Sequence, residues 1–190
     1  MDRVEAGGRT LTRAAAFALG LALAATPARA ASPPVAALAL PDASGRPASL
    51  AEYRGKPVVV FFFRGFWCAY CVEQLVLLEK LKATDLKDVP VLAVSPDGPK
   101  AVASGIAAVE KERGVRLTPR FLCDEEAVFR DRYGLAGDAS KPGPKLPTML
   151  LLDAEGRDVW RYGESHYQKR PFDASLRAAL ASHSKTGPPP

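Results

Sequence analysis

The sequence predicts a mixed α/β domain: one sheet of about five strands with helices on both faces. Three observations carry this. Short β-branched or aromatic runs alternate with amphipathic stretches between Val58 and Tyr133, the pattern of parallel strands joined by crossover helices. Two further runs, Pro147–Asp153 and Asp158–Tyr162, are separated only by Ala154-Glu155-Gly156-Arg157, too short for anything but an antiparallel hairpin. The first run, Val58-Val59-Val60-Phe61-Phe62-Phe63, contains no polar residue, as in a strand buried on both faces.

The elements follow in order. Residues 1–30 read as an export signal. Arg3, Arg9 and Arg13 give a basic start, Ala14 to Ala25 an apolar stretch, and Ala28-Arg29-Ala30 the small residues that a signal peptidase reads. The apolar stretch is shorter than the ~20 residues a bilayer span needs. An uncleaved anchor is the alternative reading. With no Arg-Arg pair, twin-arginine export is unsupported. A bacterial-type signal implies a periplasmic or otherwise exported protein, with residues 31–183 as the folded domain and 184–190 as a disordered tail. Of the net charge of +5, the leader holds +2, leaving the remainder only mildly basic. Its basic residues are interspersed with acids, and no basic stripe with aromatics suggests nucleic acid as a partner.

Residues 31–57 read as an irregular or hairpin-like lead-in with a helical turn at Leu50 to Tyr53. After the first strand, apolar residues at Leu75, Leu77 and Leu78 interspersed with Glu73, Gln74, Glu79, Lys80 and Lys82 predict a helix ending near Thr84. Val89 to Ser95 is a second buried strand. Pro96-Asp97-Gly98-Pro99 starts a helix with Val102, Ile106 and Val109 at helical spacing, and Gly114 stops it. Phe121–Cys123 is a third strand. Asp124 caps an expected helix over Glu125–Tyr133. A loop to Leu146, the hairpin, and a last helix with Phe172, Leu176, Ala179 and Leu180 complete the domain.

The chemistry gathers at Cys68-Ala69-Tyr70-Cys71, between the first strand and its helix. The first N–H groups of a helix lack internal partners and carry partial positive charge, so a sulfur there is favoured as an anion. Thiolates are the species that attack disulfides. Cys68 is therefore expected to be the exposed nucleophile, and Cys71, one turn further on, the resolving thiol. A zinc half-site is the competing reading. Zinc requires four ligands, and only Cys123, His166 and His183 remain, scattered along the chain. No metal or other cofactor is expected. Export would place the pair in an oxidising compartment, where disulfides persist.

Phe63-Arg64-Gly65-Phe66-Trp67-Cys68-Ala69-Tyr70-Cys71, Val91 to Asp97, Leu146-Pro147-Thr148 and Leu152 to Gly156 together resemble the thioredoxin fold. More narrowly, residues 38–180 resemble the redoxin branch that joins alkyl hydroperoxide reductase/thiol-specific antioxidant proteins with exported thiol–disulfide oxidoreductases. The resemblance implies a cis peptide between Leu146 and Pro147 facing the cysteines, where both residues would help bind an extended substrate. An ordinary trans proline opening a strand is the alternative.

Within that branch two activities compete. Peroxide-reducing relatives place Thr or Ser three residues before the reactive cysteine and Arg near the start of the strand that begins here at Pro147. This chain has Gly65 and Pro147 at those positions, and nothing in the sequence fixes Arg64 or Arg120 at the thiol. Trp67, Cys68, Cys71 and Pro147 instead match the disulfide-exchanging type. The expected function is disulfide exchange with protein or small-molecule thiols and disulfides, fed by a redox partner protein. The alternative is a peroxiredoxin-like peroxidase with Cys68 peroxidatic and Cys71 resolving. A copper-binding chaperone using His166 is a third reading, but such relatives separate their cysteines by three residues. Trp67 is read as a shield and partner surface, or else a core aromatic. Cys123, two strands from the Phe61 strand, is read as a small core residue rather than a partner of Cys68. Phe66 and Trp160 are assigned to the core.

Overall fold

A computed structural model describes residues 39–135, 147–163 and 172–183. The expected leader at 1–30, the tail at 184–190, Leu146 and His166 lie outside the described residues. The lead-in forms a two-stranded hairpin, β1 (Ala39–Pro41) with β2 (Pro47–Ser49), followed by a 3-10 turn at Leu50–Tyr53. That turn carries a capping box. The Ser49 hydroxyl accepts from the Ala51 N–H at 3.1 Å, and the Glu52 carboxylate accepts from the Ser49 N–H at 2.8 Å.

The main sheet contains β3 (Val58–Phe62), β4 (Val91–Ser95), β5 (Arg120–Cys123), β6 (Thr148–Leu152) and β7 (Asp158–Tyr162), in the order β5-β4-β3-β6-β7. β3, β4 and β5 are parallel; β6 runs antiparallel to β3, and β7 antiparallel to β6. The mixed α/β sheet of five strands is thus as the sequence predicts. β3 lies at the centre with all five residues buried, which is why it tolerates an unbroken apolar run.

Alternation along β3 divides the core. Val59, Phe61 and Phe63 face α1 (Ala69–Lys82), α2 (Pro99–Arg113) and α4 (Asp173–His183) through Leu75, Leu78, Val102 and Leu176. Val58, Val60 and Phe62 face the lead-in hairpin and α3 (Val128–Arg132) through Leu40, Phe129 and Tyr133. α1 and α2 lie on one face because two successive crossovers step the same way across the sheet, each right-handed. α2 is delimited as its sequence predicts: Pro99 in its first turn and Gly114 left-handed at φ 59° just past its end.

One element differs from expectation. The helix expected over Glu125–Tyr133 is only Val128–Arg132. Residues 124–127 instead form a turn that ends on Ala127 at φ 61°, left-handed and not glycine. Asp124 still caps, but from further back. Its fully buried carboxylate accepts from the Phe129 and Arg130 N–H groups at 3.0 Å each and from Arg130 Nε at 3.1 Å. The left-handed Ala127 costs about 1–2 kcal/mol, and the Asp124–Arg130 network holds it in place.

Two substitutions test this account by chemical denaturation. Asp124→Ala leaves Arg130 without its buried carboxylate and is expected to lower stability by about 3–5 kcal/mol. Ala127→Gly removes the left-handed penalty and is expected to leave stability unchanged or raise it by up to about 1 kcal/mol.

Candidate active site

Phe63 continues β3 by donating its N–H to Val94 O at 3.1 Å. The chain then breaks away at Gly65, whose φ of +126° is a conformation that L side chains rarely adopt. A Cβ at Gly65 would lie 2.7 Å from Trp67 Nε1 and 3.2 Å from Asp97 Oδ2. The turn closes when Cys68 N–H donates to Gly65 O at 3.2 Å, and α1 begins with Cys68 as its N-cap.

The residues between strand and helix divide into an anchor and a rim. Phe66 turns inward. Its ring meets Phe63 edge-on at 5.2 Å between centroids and Phe121 at 5.8 Å. It also fills the space beside Gly105 in the middle of α2, where any Cβ would overlap the ring. Gly105 is a residue that sequence reasoning passed over. A glycine within a helix costs about 1 kcal/mol, and that unexplained cost was the available signal. Trp67 turns outward, 69 % exposed, and Tyr70 is 57 % exposed. The core reading of Trp67 is therefore set aside, while Phe66 packs against the core as expected. Trp160 is partly buried, stacked on Tyr162, and donates its indole N–H to Ser175 Oγ at 2.9 Å.

The sulfurs of Cys68 and Cys71 lie 2.7 Å apart, both as free thiols. One expectation needs correction. Cys68 is not exposed: only 6 % of its surface is open, and Cys71 is fully buried. Its side chain turns toward Cys71 and the core, while its neighbours Trp67 and Tyr70 project outward. Burial, then the hydrogen bond and charge of Cys68, push the Cys71 thiol up to about 12; the Arg64 main-chain N–H and guanidinium pull the other way.

The remaining sequence candidates fall as follows. Pro147 is buried immediately before β6, where Thr148 pairs with Phe62; this places it at the end of the sheet from which the cysteine loop departs. Leu146, and with it the peptide bond to Pro147, is outside the described residues. Cys123 ends β5 opposite Ser95, two strands from β3, buried in the same apolar cluster as the pair. Its thiol is raised to about 11, first by burial and then by the charges of Glu125, Asp42 and Asp97. Arg120 sits at the other end of β5, where it binds Glu52 at 2.6 Å and Asp42 at 3.5 Å, so its charge is spent away from the sulfurs. Arg64 is fixed after all: its guanidinium carbon lies 4.6 Å from the centroid of the Trp67 ring.

Comparison with known proteins gives one consistent family. The AhpC/TSA family pattern matches residues 32–158. The chloroplastic peroxiredoxin Q of Sedum lineare is 28 % identical over 142 residues, covering 73 % of this chain and 71 % of that protein. The thiol-disulfide oxidoreductase ResA of Geobacillus thermodenitrificans is 33 % identical over 119 residues, covering 62 % of this chain and 60 % of that protein. Among solved structures, the bacterioferritin comigratory protein of Xanthomonas campestris, described for its alkyl peroxide reduction activity, superposes with a TM-score of 0.65. The match covers 80 % of this chain and 94 % of that one at 16 % identity, a likeness of fold.

Burial of these groups makes stability depend on alkaline pH. Cys71, Cys123 and Tyr133 all have folded-state values raised above their ordinary ones, Tyr133 to about 12 by burial. Below pH 9 all three are protonated in both the folded and unfolded chain, so their full contribution is present. Between pH 9 and 12 the unfolded chain releases protons that the folded chain retains, and stability falls. Denaturation midpoints of the reduced protein are expected to drop across that window. The drop should be shallower in Cys71→Ala and Cys123→Ala than in the parent.

Proposed function

The chain belongs to the AhpC/TSA family of thioredoxin-fold redoxins and is an oxidoreductase; from that premise we propose that it exchanges disulfides through Cys68 and Cys71. The observation that carries exchange over peroxide reduction is Gly65. The position that would hold a peroxide-binding hydroxyl has a glycine-only backbone and no room for a side chain beside Trp67. The sulfur pair supports the same reading, because two sulfurs 2.7 Å apart close a disulfide without any rearrangement of the loop.

The chemistry runs in two steps. Cys68 thiolate attacks a partner disulfide; a mixed disulfide forms, and the partner's other sulfur leaves as thiolate and takes a proton. Cys71 then loses its proton and attacks the Cys68 sulfur, releasing the reduced partner and leaving the pair oxidised. The environment of Cys71 suits this order. Its thiol is held protonated partly by the hydrogen bond and charge of Cys68. Once Cys68 is bonded to a partner both of these effects vanish; burial still holds the thiol up, and the Arg64 N–H and guanidinium pull against it toward the anion. Trp67 and Pro147 are assigned to partner binding, and Leu146 with them from its place in the sequence alone. A redox partner protein resets the pair. Residues 1–30 are taken as a cleaved leader and 31–183 as the catalytic domain, which assigns the activity to the periplasm or another exported location.

A second reading, peroxide reduction with Cys68 peroxidatic and Cys71 resolving, is favoured by the peroxiredoxin Q similarity. One pair of measurements separates the two. Titrated against glutathione, the parent is expected to form a single Cys68–Cys71 disulfide, and Cys71→Ser to stop at a mixed disulfide on Cys68. With hydrogen peroxide, Cys71→Ser is expected to react no faster than free cysteine. A rate orders of magnitude above free cysteine assigns the peroxidase reading instead.

A further inference from the structure

The reaction uses Arg64 only through its effect on Cys71, and gives its guanidinium no contact with the substrate. Arg64 stands two residues past the end of the sheet's central strand and four before Cys68. Its guanidinium is exposed and stacked at 4.6 Å on the equally outward Trp67 indole. No carboxylate among the described residues lies within ion-pair distance of it, whereas Arg113, Arg120, Arg130, Arg157, Arg161 and Arg177 are each paired with one. Asp97 also approaches this loop, yet its Oδ2 accepts from Ser95 Oγ at 3.1 Å rather than from Arg64. The field of Arg64 reaches the pair, since it stabilises the anion of Cys71. An arginine left without a carboxylate, held flat by an aromatic ring at the mouth of a reactive sulfur, presents its donor edge to whatever approaches that sulfur.

We propose that Arg64, ordered by Trp67, is a specificity residue that selects small disulfides bearing a carboxylate near the sulfur over neutral or cationic ones. This deepens the disulfide-exchange reading and rests on it. The carboxylate binds the guanidinium while one substrate sulfur is presented to Cys68. The Cys68–sulfur bond forms, the substrate S–S bond breaks, and the carboxylate-bearing thiol leaves with a proton. Cys71 then loses its proton and attacks the Cys68 sulfur, the Cys68–substrate bond breaks, and the second carboxylate-bearing half leaves as its thiol. Tyr70, two residues after Cys68, is a second exposed aromatic next to the pair in sequence.

The test uses charge-paired probes of one size. Reduced parent, Arg64→Gln, Arg64→Lys and Trp67→Leu are alkylated with iodoacetate and with iodoacetamide, and the ratio of the two Cys68 rates is recorded at low and high salt. Taking the ratio cancels any general change in Cys68 reactivity or access. The parent ratio is expected to exceed that of Arg64→Gln by roughly two- to fivefold, the worth of an exposed ion pair, and to shrink with salt. Arg64→Lys should keep most of the preference, and Trp67→Leu should lose part of it. An equal ratio in parent and Arg64→Gln, or one insensitive to salt, overturns the proposal. In a second arm, 3,3′-dithiodipropionate is compared with 2-hydroxyethyl disulfide as oxidant of the reduced pair. The anionic disulfide should gain by a similar factor in the parent and lose that gain in Arg64→Gln. If the alkylation ratio holds while neither disulfide oxidises the pair, anion selection by Arg64 stands and disulfide exchange is the reading that fails.

Discussion

The ring of Phe66 against the bare backbone of Gly105 is the contact on which the site depends. The loop between β3 and α1 has only Gly65 to Trp67 in which to leave the sheet, reverse and begin a helix with a sulfur at its N-cap. Such a loop keeps its shape only if something fixes its middle. Phe66 does so by reaching into the α2 side of the core, where Phe63 and Phe121 each offer an edge or a tilted face worth roughly 0.5–1.5 kcal/mol. Gly105 leaves the room for it, at a helical cost of about 1 kcal/mol that this aromatic packing offsets. With Phe66 held, Gly65 takes its φ of +126°, Trp67 is thrown outward, and Cys68 turns inward to Cys71.

That arrangement explains why a buried sulfur can still be the reactive one. Exposure and reactivity are different properties. On the proposed function, a disulfide reaches Cys68 through the 6 % of its surface that remains open, beside the exposed Trp67 and Tyr70, while its sulfur also meets Cys71. Burial of Cys71 serves a complementary end. A thiol that stays protonated until its neighbour is engaged does not compete for incoming partners.

The sequence disclosed the layers of this molecule better than its corners. Strands β3, β4 and β6 follow from short runs such as Val58–Phe63 and Leu150–Leu152, because burial on both faces leaves them almost wholly apolar, whereas the mostly half-buried β7 follows from its short connection to β6. The position of Cys68 at the start of α1 follows from the change of period after Phe63. Three features were not legible. The short α3 depends on Ala127 taking a left-handed backbone, which alanine's propensity argues against and the Asp124–Arg130 network overrides. The inward turn of Cys68 depends on a rotamer, and no periodicity encodes that. The hold on Arg64 depends on where Trp67 points, and the sequence shows only that both are present.

Gly65 and Arg64 together bear on how one fold divides between two chemistries. A hydroperoxide must be polarised by donors fixed beside the sulfur, because its O–O bond breaks with charge building on an oxygen. A disulfide needs less, since its leaving group is already a good one; what it needs is a second sulfur within reach and a surface along which to lie. At the position three before Cys68 this chain has given up the side chain altogether, and the space is taken by the Trp67 indole. The Arg64 cation is placed over that indole. From there it can meet a carboxylate carried some distance from the reacting sulfur more readily than an oxygen bonded to it. On the proposed function, the same three residues, Arg64, Gly65 and Trp67, trade polarisation of a small oxidant for recognition of a larger one.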